Sequence, residues 1–209
     1  MIQVITKENA AEHGSLLKSM FALRYHVFIE TLGWGIDCEP GQEKDQFDTQ
    51  DAIYLVLPND NGDVVASTRL LPTVGPNLLL DVFPQLVAGR RPVSRTIWEA
   101  SRLVVDHRRD RLRSCRNAAG QLLCGIMEYA VRCNLSHLVS VSDVRIERLL
   151  TRLGWTLARL GAPIHLDGYD LAAEITAVSR SALERIRART AIHGSVLTAD
   201  PASEWPAAA

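Results

Sequence analysis

The chain has 209 residues, 47% of them apolar, and a formal net charge of −1. That length suits one sizeable domain, and the near-zero charge excludes a whole-molecule attraction to nucleic acid or to a membrane surface. No apolar run approaches the ~20 residues of a membrane helix. The opening Met1-Ile2-Gln3-Val4 lacks the basic stretch and apolar core of an export signal, so a soluble cytoplasmic protein is expected. The four cysteines, Cys38, Cys115, Cys124 and Cys133, form no CxxC pair and show no zinc-like spacing to histidine. They read as reduced thiols, and no metal is expected.

In chain order, Ile2–Ile5 reads as a strand, and Leu16, Leu17, Met20, Phe21, Arg24, Val27 and Phe28 follow at helical spacing, which predicts a helix from about Ala11 to Leu32. Gly33–Asp51 is a long irregular, acid-rich connection of the kind that compact domains keep for a purpose, here a substrate loop. Ala52–Pro58 and Val64–Leu71 form a hairpin around Asn59-Asp60-Asn61-Gly62-Asp63. Leu78–Phe83 is a short apolar segment before a loop, and Ile97–Val105 is an apolar strand interrupted by Glu99, Ser101 and Arg102.

Asn117 is placed to cap a helix whose Leu122, Leu123, Ile126, Met127, Ala130 and Cys133 recur at three- and four-residue steps. A strand Leu138–Val141 and a helix from about Asp143 to Leu153, stopped by Gly154, come next. Further strands are expected at Trp155–Leu160, Ile164–Leu166 and Tyr169–Val178, then a last helix Ser179–Thr190. The pattern indicates a single α/β or α+β domain over residues 1–193, with a mobile Ala/Pro tail over 194–209.

Three groups place charge or aromatic surface where a fold alone does not need it. Arg24 and Phe28 lie four apart on one helical face, with Trp34 just beyond in a Gly-Trp-Gly turn. The acidic run Glu43-Lys44-Asp45-Gln46-Phe47-Asp48 follows. Arg69 sits in one strand, and Glu99 and Arg102 in another. Between Arg102 and Arg116 six arginines stand against two acids, so this stretch is either a solvated loop or a basic docking surface.

The order and spacing of Arg24, Phe28, Trp34, Asp45, Asp48, Arg69, Glu99 and Arg102 resemble the acyl-homoserine lactone synthase family of autoinducer synthases. Asp45-Gln46-Phe47-Asp48, Arg69-Leu70-Leu71-Pro72-Thr73, Asp81-Val82-Phe83 and Gly154-Trp155 add to the likeness. It is strong from about residue 20 to 105 and weaker to about 180. The resemblance implies a fold similar to the N-acetyltransferases, with a sheet split by a V-shaped cleft. It also implies an acyltransferase that joins S-adenosylmethionine, as a substrate rather than a cofactor, to an acyl group carried by acyl carrier protein or coenzyme A.

The resemblance further implies residue roles. Glu99 is the expected base. Arg24 and Arg102 are expected to hold the substrate carboxylate, Trp34 to meet adenine or sulfonium, and Phe28 and Phe83 to wall the pocket, although both phenylalanines serve equally well as core. For Asp45 and Asp48, pairing with Arg69 to order the loop is a simpler reading than substrate contact. Ser142 falls near a position that reads the third acyl carbon, and Met127 and Trp155 are candidates for the acyl pocket, with a core role the plainer reading for Met127. Arg108, Arg109, Arg111 and Arg113 would steer an acidic carrier or coenzyme A phosphates. Two rivals stand beside this reading. An acetyl-coenzyme A-dependent N-acetyltransferase of another amine is one, though Arg116-Asn117-Ala118-Ala119-Gly120 is a poor pyrophosphate loop. A non-catalytic signal-binding module is the other, and it leaves Glu99 unexplained.

Overall fold

The computed structural model describes residues 1–106 and 117–198. Its strands are β1 (Gln3–Ile5), β2 (Ile53–Pro58), β3 (Val64–Pro72), β4 (Ile97–Val105), β5 (His137–Asp143), β6 (Ala158–Arg159), β7 (Ile164–Leu166) and β8 (Tyr169–Ala177). Its helices are α1 (Gly14–Arg24), α2 (Leu78–Asp81), α3 (Ala118–Arg132), α4 (Val144–Arg152) and α5 (Arg180–Thr190). The strands form one mixed sheet in the order β1-β2-β3-β4-β5-β8-β6, with β7 also on β8. All pairings are antiparallel except β4 with β5. Helices α3 and α5 close the main core on one face, and α1 closes a second cluster on the other.

Local chemistry accounts for most boundaries. Asn59 Oδ1 accepts from the amides of Asn61 and Asp63, both at 2.9 Å, and shapes the β2–β3 turn. Asp143 and Ser179 cap α4 and α5 by accepting from the amides of Arg145 (2.8 Å) and Ala182 (3.1 Å). Gly154 ends α4 at φ +97°, where a Cβ would meet the Arg185 carbonyl at 3.1 Å.

Several expectations are corrected. The single helix Ala11–Leu32 is instead α1 followed by a π-helical segment, Tyr25–Thr31, whose wider turn is closed by Leu32 N donating to the Val27 carbonyl at 2.9 Å. Asn117 makes no side-chain cap; it sits at φ +62° and its amide nitrogen reaches the Thr190 carbonyl. Of the expected strand Trp155–Leu160 only Ala158–Arg159 is regular strand, with Leu160 N still donating to the Ala173 carbonyl at 2.9 Å, because Trp155 turns into the core. Strand β5 runs on to Asp143, which places Ser142 within it. Val196 and Leu197, assigned by sequence to a mobile tail, are buried: Ile2 N donates to Val196 O at 2.8 Å and Thr198 N to Ile2 O at 3.0 Å. Arg108, Arg109, Arg111 and Arg113 lie outside the described residues.

The feature that positions the site is a split in the sheet. Strands β4 and β5 pair only at Ile97–His137, Trp98–Leu138 and Glu99–Val139, although both continue beyond. Past Glu99 the two strands part and leave a V-shaped opening. Among the described residues no helix is long and apolar enough to cross a membrane. Cys38 and Cys124 are free thiols.

Candidate active site

Three cross-strand neighbours, Tyr54, Arg69 and Ser101, stand side by side on β2, β3 and β4, so their side chains share one face of the sheet. Regular alternation would put Arg102 on the opposite face. A bulge prevents this: the β3–β4 register slips between Ser67 and Arg69, and Arg102 adopts φ +52°. That left-handed backbone, uncommon for a residue with a side chain, turns the guanidinium back toward Arg69.

The loop from Gly33 to Asp51 lays its acids over these arginines. Arg24 donates Nε to Glu43 (2.5 Å) and grips Asp48 with both terminal nitrogens (2.8 and 2.9 Å). Arg69 holds Asp45 at 2.5 and 3.2 Å and lies 3.0 Å from Asp48. Arg102 bridges Glu43 (3.1 Å) and Asp45 (2.6 Å). Three guanidinia thus face three carboxylates in a network that is almost wholly buried and neutral in sum. Asp48 also accepts from the Tyr54 hydroxyl (2.9 Å) and the Asp45 amide (2.8 Å). Burial pushes the Asp48 carboxyl up, but the Arg24 hydrogen bonds and the charges of Arg24 and Arg69 hold it well below the usual carboxylate range. Burial opposes the charge on Arg24, and Asp48 and Glu43 more than offset it.

Glu99 lies at the vertex of the split and is completely buried. Its carboxylate accepts from the amides of Leu79 (2.7 Å) and Leu78 (3.3 Å). Burial raises its pKa, opposed by those amides, the Arg69 charge and a hydrogen bond from the Ser101 hydroxyl. Since Arg69 Nε donates to that same hydroxyl at 3.2 Å, a short relay links the ion-pair network to Glu99. A buried carboxylate with a raised pKa at the vertex of a cleft suits proton abstraction.

Trp34 is half-exposed and stacked on Phe28, with ring centroids 4.7 Å apart and planes 9° from parallel, and Tyr169 meets it edge-on. The Arg102 guanidinium stands 5.7 Å from the centre of the Phe28 ring. Aromatic and cationic surface therefore adjoin at the rim, where Arg102, with 8% of its side chain accessible, is the most exposed of the three arginines.

A family model described as autoinducer synthase matches residues 8–186. The chain belongs to the autoinducer synthase family. An acyl-homoserine-lactone synthase of Rhizobium radiobacter is 32% identical over 190 residues, covering 89% of this chain and 90% of that protein. The solved structure of MesI, described as a CoA-dependent acyl-homoserine lactone synthase, is 30% identical with a TM-score of 0.83, covering 95% of this chain and 99% of the other. BjaI, described in the same terms and solved with SAM and isopentyl-CoA, is 26% identical with a TM-score of 0.86 over 95% and 92% of the two chains. An N-acetyltransferase structure from Lactobacillus plantarum, 18% identical with a TM-score of 0.56, shares the fold. This autoinducer synthase is accordingly an acyltransferase on an N-acetyltransferase-like scaffold, and the reading as a non-catalytic binding module falls away.

The structure brings Arg24, Phe28, Trp34, Asp45, Asp48, Arg69 and Arg102 into one assembly, with Glu99 joined to it through Ser101. Arg24 is no surface salt bridge, being 1% exposed. Phe83 stands apart, half-buried beside Leu79 and Leu86. Met127 and Trp155 lie in the main core, whereas Ser142 is on β5 and donates to Glu174 at 2.9 Å. Sequence reasoning missed Glu43, Tyr54, Ser101 and Glu174 as members of polar networks. Glu174 carried a usable signal, a lone acid in the apolar strand Leu171-Ala172-Ala173-Glu174-Ile175.

Glu174 is completely buried, and burial lifts its pKa to about 7 from an ordinary 4.5; the Ser142 and Ser140 hydroxyls and Arg159 work against that rise, and Glu147 adds to it. A carboxyl raised in the folded state keeps its proton where the unfolded chain loses it, so stability is lost as pH rises through that interval. Glu174→Gln is expected to gain on the order of 2–3 kcal/mol over wild type between pH 4.5 and pH 8, at ~1.4 kcal/mol per pKa unit. Urea unfolding at both pH values checks this, and an equal gain at each pH would refute it.

Proposed function

We propose that this cleft makes an N-acyl-homoserine lactone from S-adenosylmethionine and an acyl-coenzyme A thioester. The observation that carries the reading is the buried Glu99 carboxylate at the vertex of the split, coupled through Ser101 to the arginine–carboxylate network. The substrate's methionine carboxylate meets the cationic rim at Arg102, with Arg24 holding Glu43 and Asp48 in place behind it. The half-exposed Trp34 indole takes adenine or sulfonium. The thioester enters between β4 and β5, where the unpaired strand edges offer backbone donors and acceptors.

Glu99, directly or through one water, removes a proton from the substrate ammonium and frees its lone pair. The nitrogen attacks the thioester carbonyl; an N–C bond forms, the C–S bond breaks, and the departing thiolate takes up a proton. The methionine carboxylate then attacks its own γ-carbon. That step forms the C–O bond of the lactone, breaks the bond to sulfonium sulfur and releases neutral methylthioadenosine. Ring closure within one molecule carries a large positional advantage.

Purified protein given S-adenosylmethionine and acyl-coenzyme A should release methylthioadenosine and a lactone in equal amounts. Faster turnover with the same acyl group on acyl carrier protein would reassign the donor, and no release with either would overturn the reading. Trp34→Ala should raise the KM for S-adenosylmethionine by about tenfold, the loss of one aromatic contact of roughly 1–2 kcal/mol. The KM for the thioester should hold. Steady-state kinetics in each substrate separates the two, and an equal rise in both would remove Trp34 from the S-adenosylmethionine site.

A further inference from the structure

Tyr169 opens β8, on the limb of the sheet formed by β5, β8, β6 and β7, and follows a two-residue turn in which Asp167 and Gly168 take φ +49° and +83°. Leu166 and Tyr169 pair across that turn, so a tight hairpin fixes where the ring is presented. Strand pairing needs no aromatic here. Tyr169 is half-buried while its neighbours from His165 to Gly168 and Asp170 are exposed, and a polar side chain would serve the hairpin as well.

Its contacts lie on the other limb. The Tyr169 hydroxyl donates to the Leu32 carbonyl at 3.2 Å, and its ring meets Trp34 edge-on at a centroid distance of 6.3 Å. Trp34 packs with Phe28 in the cluster closed by α1, on the side of β2, β3 and β4. Strand alternation gives Tyr169 the face of Leu171 and Ala173, which is also that of Val139 and α2, and therefore of Glu99. Strand β5 starts beside β4 at the vertex and ends at Asp143, opposite Leu171, so Tyr169 stands past its far end. The V is thus bridged at its wide end.

The Leu32 carbonyl follows the π-helical segment, where terminal carbonyls lack a partner within the helix, and Tyr169 supplies the donor. Trp34 comes next, between Gly33 at φ +70° and Gly35, so the backbone does little to fix the indole. Phe28 supports it by stacking. Tyr169 is the second support, and its own ring is backed by the Arg145 guanidinium, 5.8 Å from the ring centre and held by Asp143 at 2.7 and 3.0 Å. We propose that Tyr169 is a positioning residue for Trp34, tying the indole across the split in the orientation that receives S-adenosylmethionine. An indole already held loses less freedom when the substrate binds. The inference rests on the proposed synthase reading, in which Trp34 meets that substrate, and brings the far limb of the sheet into its binding.

The test measures methylthioadenosine release by wild type, Tyr169→Phe, Tyr169→Ala, Trp34→Ala and the double variant Trp34→Ala/Tyr169→Ala, varying S-adenosylmethionine and acyl-coenzyme A in turn. Tyr169→Phe should raise the KM for S-adenosylmethionine by about threefold, the scale of one exposed hydrogen bond, and Tyr169→Ala by up to about tenfold. The KM for the thioester and kcat at saturation should move little. Because Tyr169 acts through Trp34, the double variant should stay near the tenfold or so of Trp34→Ala alone, short of the roughly hundredfold that independent effects would multiply to. Tyr169→Phe removes one surface oxygen, so it keeps the fold and carries the test, with Trp34→Ala/Tyr169→Phe, if the Ala variant does not. A KM for S-adenosylmethionine unmoved in the Tyr169 variants, an equal rise for both substrates, or multiplying effects in the double variant overturns the inference and leaves the synthase reading standing. No methylthioadenosine from wild type overturns that reading instead.

Discussion

Glu99→Gln should fold and bind S-adenosylmethionine while losing on the order of 10²–10⁴-fold in kcat, the range associated with a single general base. The amide is isosteric and keeps one acceptor oxygen for the Leu78 and Leu79 amides that Glu99 now satisfies. One amide is left poorly paired, at a cost of about 1–3 kcal/mol, which lowers Tm by several degrees in a chain of this size. The variant therefore separates two roles. Support of α2 appears as a modest Tm change, and proton abstraction appears as a collapse of kcat with the KM for S-adenosylmethionine nearly unchanged. A wild-type kcat in the folded variant would remove Glu99 as the base.

Asp48→Asn should be the most destabilising single change in the network. Asp48 receives Arg24 on both oxygens, Arg69, the Tyr54 hydroxyl and the Asp45 amide. Neutralising it leaves two buried guanidinia short of a counter-charge, which costs roughly 3–5 kcal/mol and lowers Tm by about 10 °C. The pH dependence gives a second reading. The Asp48 pKa is depressed in the folded protein, so its stabilisation is complete above the unfolded value near ~3.9 and is lost as pH falls below it. Thermal unfolding of wild type should decline steeply below about pH 4, and Asp48→Asn should flatten that decline. A variant as stable as wild type at pH 7 would show that the network does not hold the loop.

The two buried carboxylates with raised pKa values, Glu99 and Glu174, flank the split from opposite faces of the sheet. Both interrupt apolar strands, and both are held by neutral donors. The Arg69 charge draws Glu99 toward its ionised form, and the Arg159 charge does the same for Glu174.

Much of the fold was legible because local patterns act over short range. Alternation and turn chemistry marked the β2–β3 hairpin, apolar spacing marked α3, and Ser179 marked the start of α5. Less legible was the π-helical segment after Arg24, since α and π turns bury nearly the same residues over so short a stretch. The cap assigned to Asn117 failed because Thr190, far along the chain, competes for its side chain. Val196 and Leu197 read as tail because their partner, Ile2, lies at the other end of the sequence.

The sequence by itself determined which charged residues exist and in what order, from Arg24 to Arg102. Only the tertiary structure decided which of them meet. Glu99 and Arg102, three apart on one strand, would face opposite sides of a regular sheet, and the bulge with Arg102 at φ +52° brings both to the same side. Ser142 and Glu174, 32 residues apart, are joined by the antiparallel pairing of β5 with β8. Side-chain type is a local property, whereas the direction of a side chain depends on backbone geometry that distant strands impose.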